Sequence, residues 1–291
     1  MLETANDERL QEELAGIDAL ELAGRTSTSR GRRAWTATWP KLAAIAIAIG
    51  GWQLVVWSGW KPEYVLPGPG TVFTELRNEL SNGHLLPAVG RTLLRAAKGY
   101  SIALVLGVIA GSLVARSKVL RSAFGSFITG LQTMPSVAWF PLALLLFKRT
   151  EAAILFVVIL GAAPSIANGV INGIDQVPPL YLRAGRVLGA KRLTMYRHII
   201  LPAALPQFVG GLKQGWAFAW RSLMAGELLV IIPGQLTVGV LMQNARDFSD
   251  APALMASMVV ILVIGIAVDA VFFAGVERTM RRRRGLLVTS S

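Results

Sequence analysis

Long apolar stretches separated by short polar segments make up most of this chain. Six of them are long enough to cross a hydrocarbon layer of about 30 Å as a helix. They are residues 38–58, 90–115, 122–147, 151–173, 200–231 and 252–276. Tryptophans flank the first stretch on both sides, as is typical of a membrane–water interface: Trp35, Trp39, Trp57 and Trp60. The pattern predicts an all-α integral membrane protein with six transmembrane helices.

The composition agrees with a membrane protein. The 291 residues are 53% hydrophobic and 16% charged, with more apolar surface than a soluble core of this length would bury. The net charge of +12 would suggest nucleic acid in a soluble protein, but the Lys and Arg residues lie between and beside the apolar stretches. We therefore predict a lipid bilayer and no nucleic acid as the partner. The absence of cysteine and the two isolated histidines exclude thiolate chemistry and a histidine metal cluster.

Positive residues also predict the orientation. With the N-terminus in the cytoplasm, nineteen of the 29 Lys and Arg residues fall in cytoplasmic segments. Residues 1–34 contain acids and show no signal-peptide pattern. We expect a multi-pass protein of the cell membrane with both termini cytoplasmic.

A basic segment between the fourth and fifth stretches has its own local pattern. Pro178 and Pro179 suit the first turn of a helix that ends at Gly189, where glycine can adopt the left-handed conformation. A second short helix, AKRLTMYRHII, then leads to Pro202, which can open the next transmembrane helix. The first helix has an apolar and a basic stripe, so it can dock into a soluble partner.

This segment resembles the cytoplasmic signature of permease subunits of type I ABC importers. The family pattern is Glu-Ala-Ala, three residues, Gly, nine residues, then Ile-x-Leu-Pro. The matching positions are Arg183, Ala184, Gly185, Gly189, Ile199, Leu201 and Pro202. Because Arg183 replaces the family's acid, a salt bridge from that position to the ATPase does not carry over.

The resemblance implies a type I ABC importer permease fold in which residues 180–190 form a coupling helix in a groove of an ATPase. The residues expected to transmit the coupling are Leu182, Arg183, Ala184, Gly185, Arg186, Gly189, Ala190, Leu201 and Pro202. No GxxxxGK[ST] motif occurs, so the chain is not expected to be an enzyme, and ATP and Mg should bind to the partner. Expected partners are two ATPase copies, an extracytoplasmic substrate-binding protein and a second permease copy, in a homodimer.

Further segments resemble permeases for taurine, alkanesulfonates, nitrate or bicarbonate. These segments are LPGPGTV (66–72), GYSIALVLGVIAGSLVARS (99–117), LQTMPSVAWFPLALLLF (131–147), GELLV (226–230) and GVLMQNAR (239–246). FKRTEA at 147–152 departs from the aromatic-Phe-Gly and acidic turn usual there. The resemblance implies a small anionic substrate, an aliphatic sulfonate or taurine before nitrate or bicarbonate.

Ionisable residues inside apolar stretches are costly and are candidates for the translocation pathway. We hypothesise that Arg221 assists an anion, with Trp216 and Trp220 shaping the wall; the alternative is a carboxylate or carbonyl partner from another span. Glu227 is expected to be structural or to gate. Met134 is either a pliable gate residue or plain core. Lys213 is expected to snorkel towards the interface, and Asp269 to hydrogen-bond a neighbouring helix.

The predicted organisation has four parts. Residues 1–34 form a cytoplasmic segment with a short amphipathic helix and linker, and 35–87 the first transmembrane helix and outer loop. Residues 88–277 form the ABC transporter core of five helices with the coupling loop at 178–199, and 278–291 a basic cytoplasmic tail. Two alternatives remain, an ion-coupled secondary transporter and an intramembrane enzyme, although no internal repeat, HExxH or GxSxG motif supports them.

Overall fold

A computed structural model of the chain describes residues 30–283, and every regular element in that range is a helix. The amphipathic helix predicted within residues 1–34 and the end of the basic tail lie outside the described residues. In chain order the α-helices are α1 (Arg30–Trp57), α2 (Pro69–Ser81), α3 (Leu85–Arg116), α4 (Lys118–Thr133), α5 (Phe140–Phe147), α6 (Glu151–Asp175), α7 (Pro179–Val187), α8 (Arg192–Met195), α9 (Leu201–Leu229), α10 (Val238–Asp247), α11 (Ala251–Val268) and α12 (Ala274–Arg283).

The described part divides into α1 on one side and the bundle of α2 to α12, residues 61–283, on the other. α1 contains Pro40, and its stretch Thr38–Trp57 has the length and hydropathy of a membrane span. In the bundle, the same holds for Leu85–Arg116, Glu151–Asp175 and the continuous helical stretch Ala251–Met280. The protein is an all-α integral membrane protein, as predicted.

The number of spans differs in part from the six predicted. By length and composition the described residues contain four spans, or five if the bent pair Lys118–Thr133 and Ser136–Phe147 is one span. The remaining predicted span, the fifth in chain order at residues 200–231, corresponds to α9, whose 29 residues extend about 43 Å. It is long enough to cross a bilayer but does not meet the same apolar criterion, and it carries Lys213, Arg221 and Glu227.

The third predicted span, residues 122–147, is not one continuous helix. α4 ends at Thr133, and the helical segment Ser136–Phe147 leaves it at an angle of 101°. Met134 adopts an extended conformation with φ −73° and ψ 126°, as expected for a residue that precedes proline. Pro135 therefore does more than kink the helix, because it ends α4 in the middle of the apolar stretch.

Helix α6 forms the centre of the bundle, between α3 and α9. Small residues allow the backbones to approach closely: a Cβ added to Gly169 would lie 2.6 Å from the Cα of Gly211. On the α3 side, a Cβ added to Gly111 would lie 2.6 Å from the carbonyl oxygen of Ala167. The core therefore combines close backbone contacts at these glycines with packed side chains such as Ile154 and Val157.

The basic segment after α6 matches its predicted first helix. α7 begins at Pro179, with Pro178 at its N-cap, and ends at Val187, and Gly189 has a φ of +75°. The Ala190 N–H donates to the Gly185 carbonyl at 2.9 Å and the Gly189 N–H to the Arg186 carbonyl at 3.0 Å. These two bonds form a Schellman motif, so glycine is needed at 189 for its left-handed backbone.

The second predicted helix is not separate. α8 continues through a π-helical turn, Tyr196–Ile200, directly into α9, so the helical path is unbroken from Arg192 to Leu229. The Leu201 N–H donates to the Tyr196 carbonyl, five residues back. Pro202 has no N–H and cannot donate a helical hydrogen bond. The π-helical turn therefore directly precedes the position at which an α-helical hydrogen bond is missing. Pro202 lies in the first turn of α9, as predicted, but the helical path enters α9 from the π-helical turn without a break.

Candidate functional site

The break between α4 and α5 opens a cavity of about 350 Å³ against α6 and α9. Its walls come from three places: residues 131–137 at the break, Gly161 on α6, and Phe218, Arg221 and Ala225 on α9. Gln132, Thr133 and Ser136 add polar groups to an otherwise apolar lining. The cavity thus places one cation and several hydrogen-bonding side chains at a helix break within an apolar stretch.

Arg221 is the charged residue of this cavity. Its Nε donates to the Ala217 carbonyl of its own helix at 3.2 Å, and its guanidinium carbon lies 4.6 Å from the centre of the Phe218 ring. Within residues 30–283 no carboxylate and no other span supplies a partner for its two terminal amino groups. A planar fork of N–H donors therefore remains available to an anion with two or more oxygens.

Of the other predicted pathway residues, only Met134 shares this cavity, as a residue of its broken-helix wall. Trp216 and Trp220 stack on each other with their ring centres 6.1 Å apart, and Trp216 meets Tyr100 edge-on. Positions 216 and 220 lie roughly 140° and 100° around the helix from 221. The hypothesis that these indoles wall the space around Arg221 is therefore corrected.

A polar link through Gln132, which the sequence analysis did not single out, fixes the end of α4. The Gln132 Nε2 donates to the Ser165 hydroxyl at 2.6 Å, and the Asn168 amide donates to the Gln132 carbonyl oxygen. Both partners belong to α6, so the last turn before the break is held against the central helix. A glutamine three residues before a proline in an apolar stretch was the available signal.

Glu227 lies apart from the cavity in a buried ion pair. It is fully buried and accepts from Arg95 Nη1 at 2.9 Å, from the Thr92 hydroxyl at 2.9 Å and from the Gly239 N–H at 3.1 Å. The Arg95 Nη2 also donates to the Gln235 side-chain oxygen at 2.6 Å. These contacts join α3, the end of α9 and the start of α10 around one neutralised carboxylate.

Two further interhelical pairs involve residues of interest. Lys213 on α9 and Asp269 in the π-helical turn that follows α11 form an ion pair at 3.1 Å, so Lys213 does not simply snorkel. Arg121 on α4 pairs with Asp175 at the end of α6. The described residues contain no group of three or more His, Cys, Asp and Glu side chains that could hold a metal ion.

The predicted coupling residues divide by exposure. Arg183, Ala184, Arg186, Gly189, Leu201 and Pro202 are exposed, and Leu182 and Ala190 are partly exposed. Gly185 is buried. A Cβ added there would lie 2.3 Å from the Ile199 Cδ1 and 3.0 Å from the Met195 sulfur, so the neighbouring side chains leave no room for one. Gly185 is thus unavailable to a partner and instead lets α7 pack against the turn before α9. Four apolar side chains of α7 and its end stay exposed: Leu180, Tyr181, Val187 and Leu188.

Comparison with known proteins gives a consistent picture. Residues 103–285 match the family described as binding-protein-dependent transport system inner membrane component. A probable ABC transporter permease protein of Brucella melitensis is 30% identical over 237 residues, which cover 81% of this chain and 94% of that protein. The bicarbonate transport system permease protein CmpB of Synechococcus elongatus is 26% identical, covering 91% of this chain and 99% of that one.

A third relative, the putative aliphatic sulfonates transport permease protein SsuC of Bacillus subtilis, is 30% identical over 243 residues, covering 84% of this chain and 86% of that one. Among solved structures, an inward-facing MetNI methionine ABC transporter chain aligns with a TM-score of 0.56 at 20% sequence identity. The alignment covers 68% of this chain and 94% of that one, and it supports the same helical fold.

Proposed function

The chain belongs to the family of binding-protein-dependent transport system inner membrane components, and from that premise we propose that it is the permease of an ATP-driven importer for a small anion. The carrying observation is Arg221, which lines a cavity of about 350 Å³ and has no carboxylate partner for its terminal amino groups among residues 30–283. Relatives named for bicarbonate and aliphatic sulfonates support an anionic cargo. We take an aliphatic sulfonate or taurine as the first candidate, then nitrate or bicarbonate.

The chemistry of the cavity fits these cargoes. Sulfonate, nitrate and bicarbonate each present two or more oxygens that a guanidinium can bind with two parallel hydrogen bonds. The hydroxyls of Thr133 and Ser136 line the same space. For transport, this contact must differ between the two access states, because a ligand shifts an equilibrium only by its differential affinity. The helix break next to Met134 is the element whose rearrangement would change it.

Substitution of Arg221 tests the anion proposal. We expect Arg221→Gln to lower uptake of the cargo anion by about tenfold or more, the loss of a charge-assisted contact, and Arg221→Lys to retain part of it. Arg278→Gln is the matched control, since Arg278 also donates its Nε to the carbonyl four residues back, at 3.0 Å, but does not line the cavity. Normal uptake by Arg221→Gln, with the protein present at the wild-type level, would refute the proposal.

We propose further that the permease forms a homodimer and that α7 of each copy docks into one ATPase subunit, which makes two ATPase copies in all. ATP and Mg would bind to the ATPase subunits. Exposed Val187 and Leu188 offer the apolar contact, and the Schellman motif at Gly189 keeps the segment rigid. Val187→Asp should abolish co-purification of the ATPase. Val119→Asp is the control, since Val119 is also highly exposed, at 77% against 87% for Val187, but lies at the start of α4. Equal recovery of ATPase with both variants would contradict docking through α7.

The proposed orientation places α7 and both termini in the cytoplasm. Because the chain has no cysteine, a single introduced thiol is unique. Thr194→Cys, close to α7, should resist an impermeant maleimide added to intact cells, and Ser58→Cys, just after α1, should react. The reverse labelling would show the opposite topology. Arg183→Glu tests whether the charge at the family's acidic position matters, with ATPase co-purification and uptake as the readouts.

A further inference from the structure

A second polar pocket, of about 260 Å³, lies at the far end of the bundle from α7. It is lined by Arg91, Leu94, Arg95, Lys98, Glu151, Gly234 and Gln235. Three cations stand at spacings of four and three on one face of α3, so their side chains converge on one space. Neither the Arg221 cavity nor the coupling segment includes any of these residues.

The pocket is electrically positive after its ion pairs are counted. Glu227, which does not line the pocket, forms an ion pair with Arg95 at 2.9 Å, and Glu151 forms one with Lys98 at 3.2 Å. Arg91 has no carboxylate partner among residues 30–283, and its contact is a long 3.4 Å hydrogen bond from Nη1 to the Leu236 carbonyl. The pocket thus presents one uncompensated guanidinium and, in Lys98, one half-exposed amine whose partner carboxylate is 35% exposed.

Arg95 supplies an independent indication of unmet hydrogen bonding. Its side chain is 95% buried, and its Nε has no hydrogen-bond acceptor within the described chain. A buried donor without a partner costs free energy, and a bound ligand or water that accepts from it would remove this cost. The Gln235 side chain, whose oxygen accepts from the Arg95 Nη2 at 2.6 Å, lines the pocket beside it.

We propose that this pocket binds a small free oxyanion, in contact with Arg91 and Lys98, before the anion reaches the Arg221 cavity. The proposal rests on the anion-import function and orientation proposed above, which put this end of the bundle on the extracytoplasmic side. Glu227, which contacts Arg95, follows Arg221 by six residues on α9, about 9 Å along the helix axis. The pocket therefore lies within two helical turns of the level of the Arg221 cavity and is a capture site for the same class of anion.

Protection from phenylglyoxal, which modifies arginine, tests both sites separately. The full-length protein in a maltoside detergent, free of phosphate, is treated with or without sodium nitrate or methanesulfonate at constant ionic strength. Modification of Arg91, Arg221 and Arg278 is then quantified by mass spectrometry of their peptides. We expect the anions to protect Arg91 with a saturating dose dependence, and Arg278 to remain unprotected.

Two variants change the affinity in opposite directions. Lys98→Gln should raise the anion concentration for half-protection of Arg91 by about two- to fivefold, the range for one partly exposed charge contact, and Lys98→Arg should not. Glu151→Gln should lower that concentration by about the same factor, because it removes the carboxylate that competes for Lys98. Neither substitution should change protection of Arg221, so loss of protection at Arg221 alone bears on the proposed function and not on this pocket.

Three outcomes would overturn the proposal. They are no anion protection of Arg91, protection insensitive to both Lys98 and Glu151, and protection of Arg91 by phosphatidylglycerol nanodiscs without added salt while nitrate and methanesulfonate have no effect. The last result would identify the bound oxyanion as a lipid phosphate. Protection by the free anions in detergent, with opposite shifts in the two variants, supports a capture site for free anions.

Discussion

Replacement of Glu227 by alanine should destabilise the bundle more than any other loss of a single carboxylate in the described chain. The carboxylate is fully buried and accepts three hydrogen bonds, from Arg95, Thr92 and the Gly239 backbone. Its removal leaves Arg95, which is 5% exposed, as a buried cation whose remaining partner is Gln235. The cost comes mainly from that uncompensated charge.

The expected magnitude follows from this geometry. Removing one partner of a buried ion pair costs about 3 to 5 kcal/mol. With a shift of about 2 to 4 °C for each kcal/mol in a unit of this size, the midpoint of thermal unfolding should fall by roughly 6 to 20 °C. Thr92→Val should cost less, about 1 to 3 kcal/mol, although its hydroxyl also accepts from the Val238 N–H at 3.1 Å.

Intrinsic tryptophan fluorescence of the purified protein in detergent measures these shifts. The chain has eight tryptophans and no cysteine, so thiol-reactive dyes cannot replace this readout. Glu151→Ala is the matched control: it also removes one carboxylate paired with a cation of α3, but at a half-exposed site where a pair contributes at most about 1 kcal/mol. The double variant Arg95→Met/Glu227→Leu should recover most of the loss, because it buries no charge.

Equal midpoints for Glu227→Ala and Glu151→Ala would refute this reasoning. A double variant no more stable than Glu227→Ala would do so as well, since the loss would then not arise from the unpaired Arg95. Recovery of stability in the double variant without recovery of transport would separate the structural contribution of the pair from a gating contribution of Glu227.

Three further substitutions test other parts of the fold. Gly211→Val should prevent assembly of α9 on α6, seen as loss of folded protein on size-exclusion chromatography, whereas its neighbour Gly210 has open space and Gly210→Val should be tolerated. Gly189→Ala should cost about 1 to 2 kcal/mol through the left-handed backbone at 189 and reduce the ATPase activity stimulated by cargo, while wild-type coupling would contradict a rigid end to α7. Lys213→Asp and Asp269→Lys should each leave an unpaired charge with an insertion cost of up to about 2.5 to 3.5 kcal/mol, and each should therefore reduce the amount of folded protein in the membrane. The double variant should restore that amount. A double variant with as little folded protein as either single variant would exclude the pair.

Local sequence signals predicted the local structure well. Proline at the first turn and glycine after the last turn predicted α7 and its left-handed end, because both residues act through their own backbone. Pro202 also lies in the first turn of its α-helix, but the π-helical turn that joins α9 to α8 without a break was not predicted. One span was predicted over residues 122–147, but the chain turns by 101° at Pro135, because the direction after a helix end depends on packing against α6.

The partners of the buried charges could not be predicted. Glu227 meets Arg95 across 132 residues of sequence, and helical periodicity says which face a residue occupies but not which helix covers that face. The placement of Trp216 and Trp220 beside Arg221 was a different error, because their angular separation from Arg221 on one helix was already readable from the sequence. Spacing along one helix is readable from sequence, whereas contact between helices requires the fold.

The glycine contact between α6 and α9 has a mechanical consequence. At Gly169 and Gly211 no side chain separates the two backbones, so α6 and α9 cannot slide past each other by changing side-chain rotamers. We therefore expect α6 and α9 to move together as one rigid unit. α7 is joined to α6 by three residues and to α9 by a short link and a continuous helix. A displacement of α7 should therefore move α6 and α9 together. We expect a hinge instead where the helix is broken, between Thr133 and Ser136.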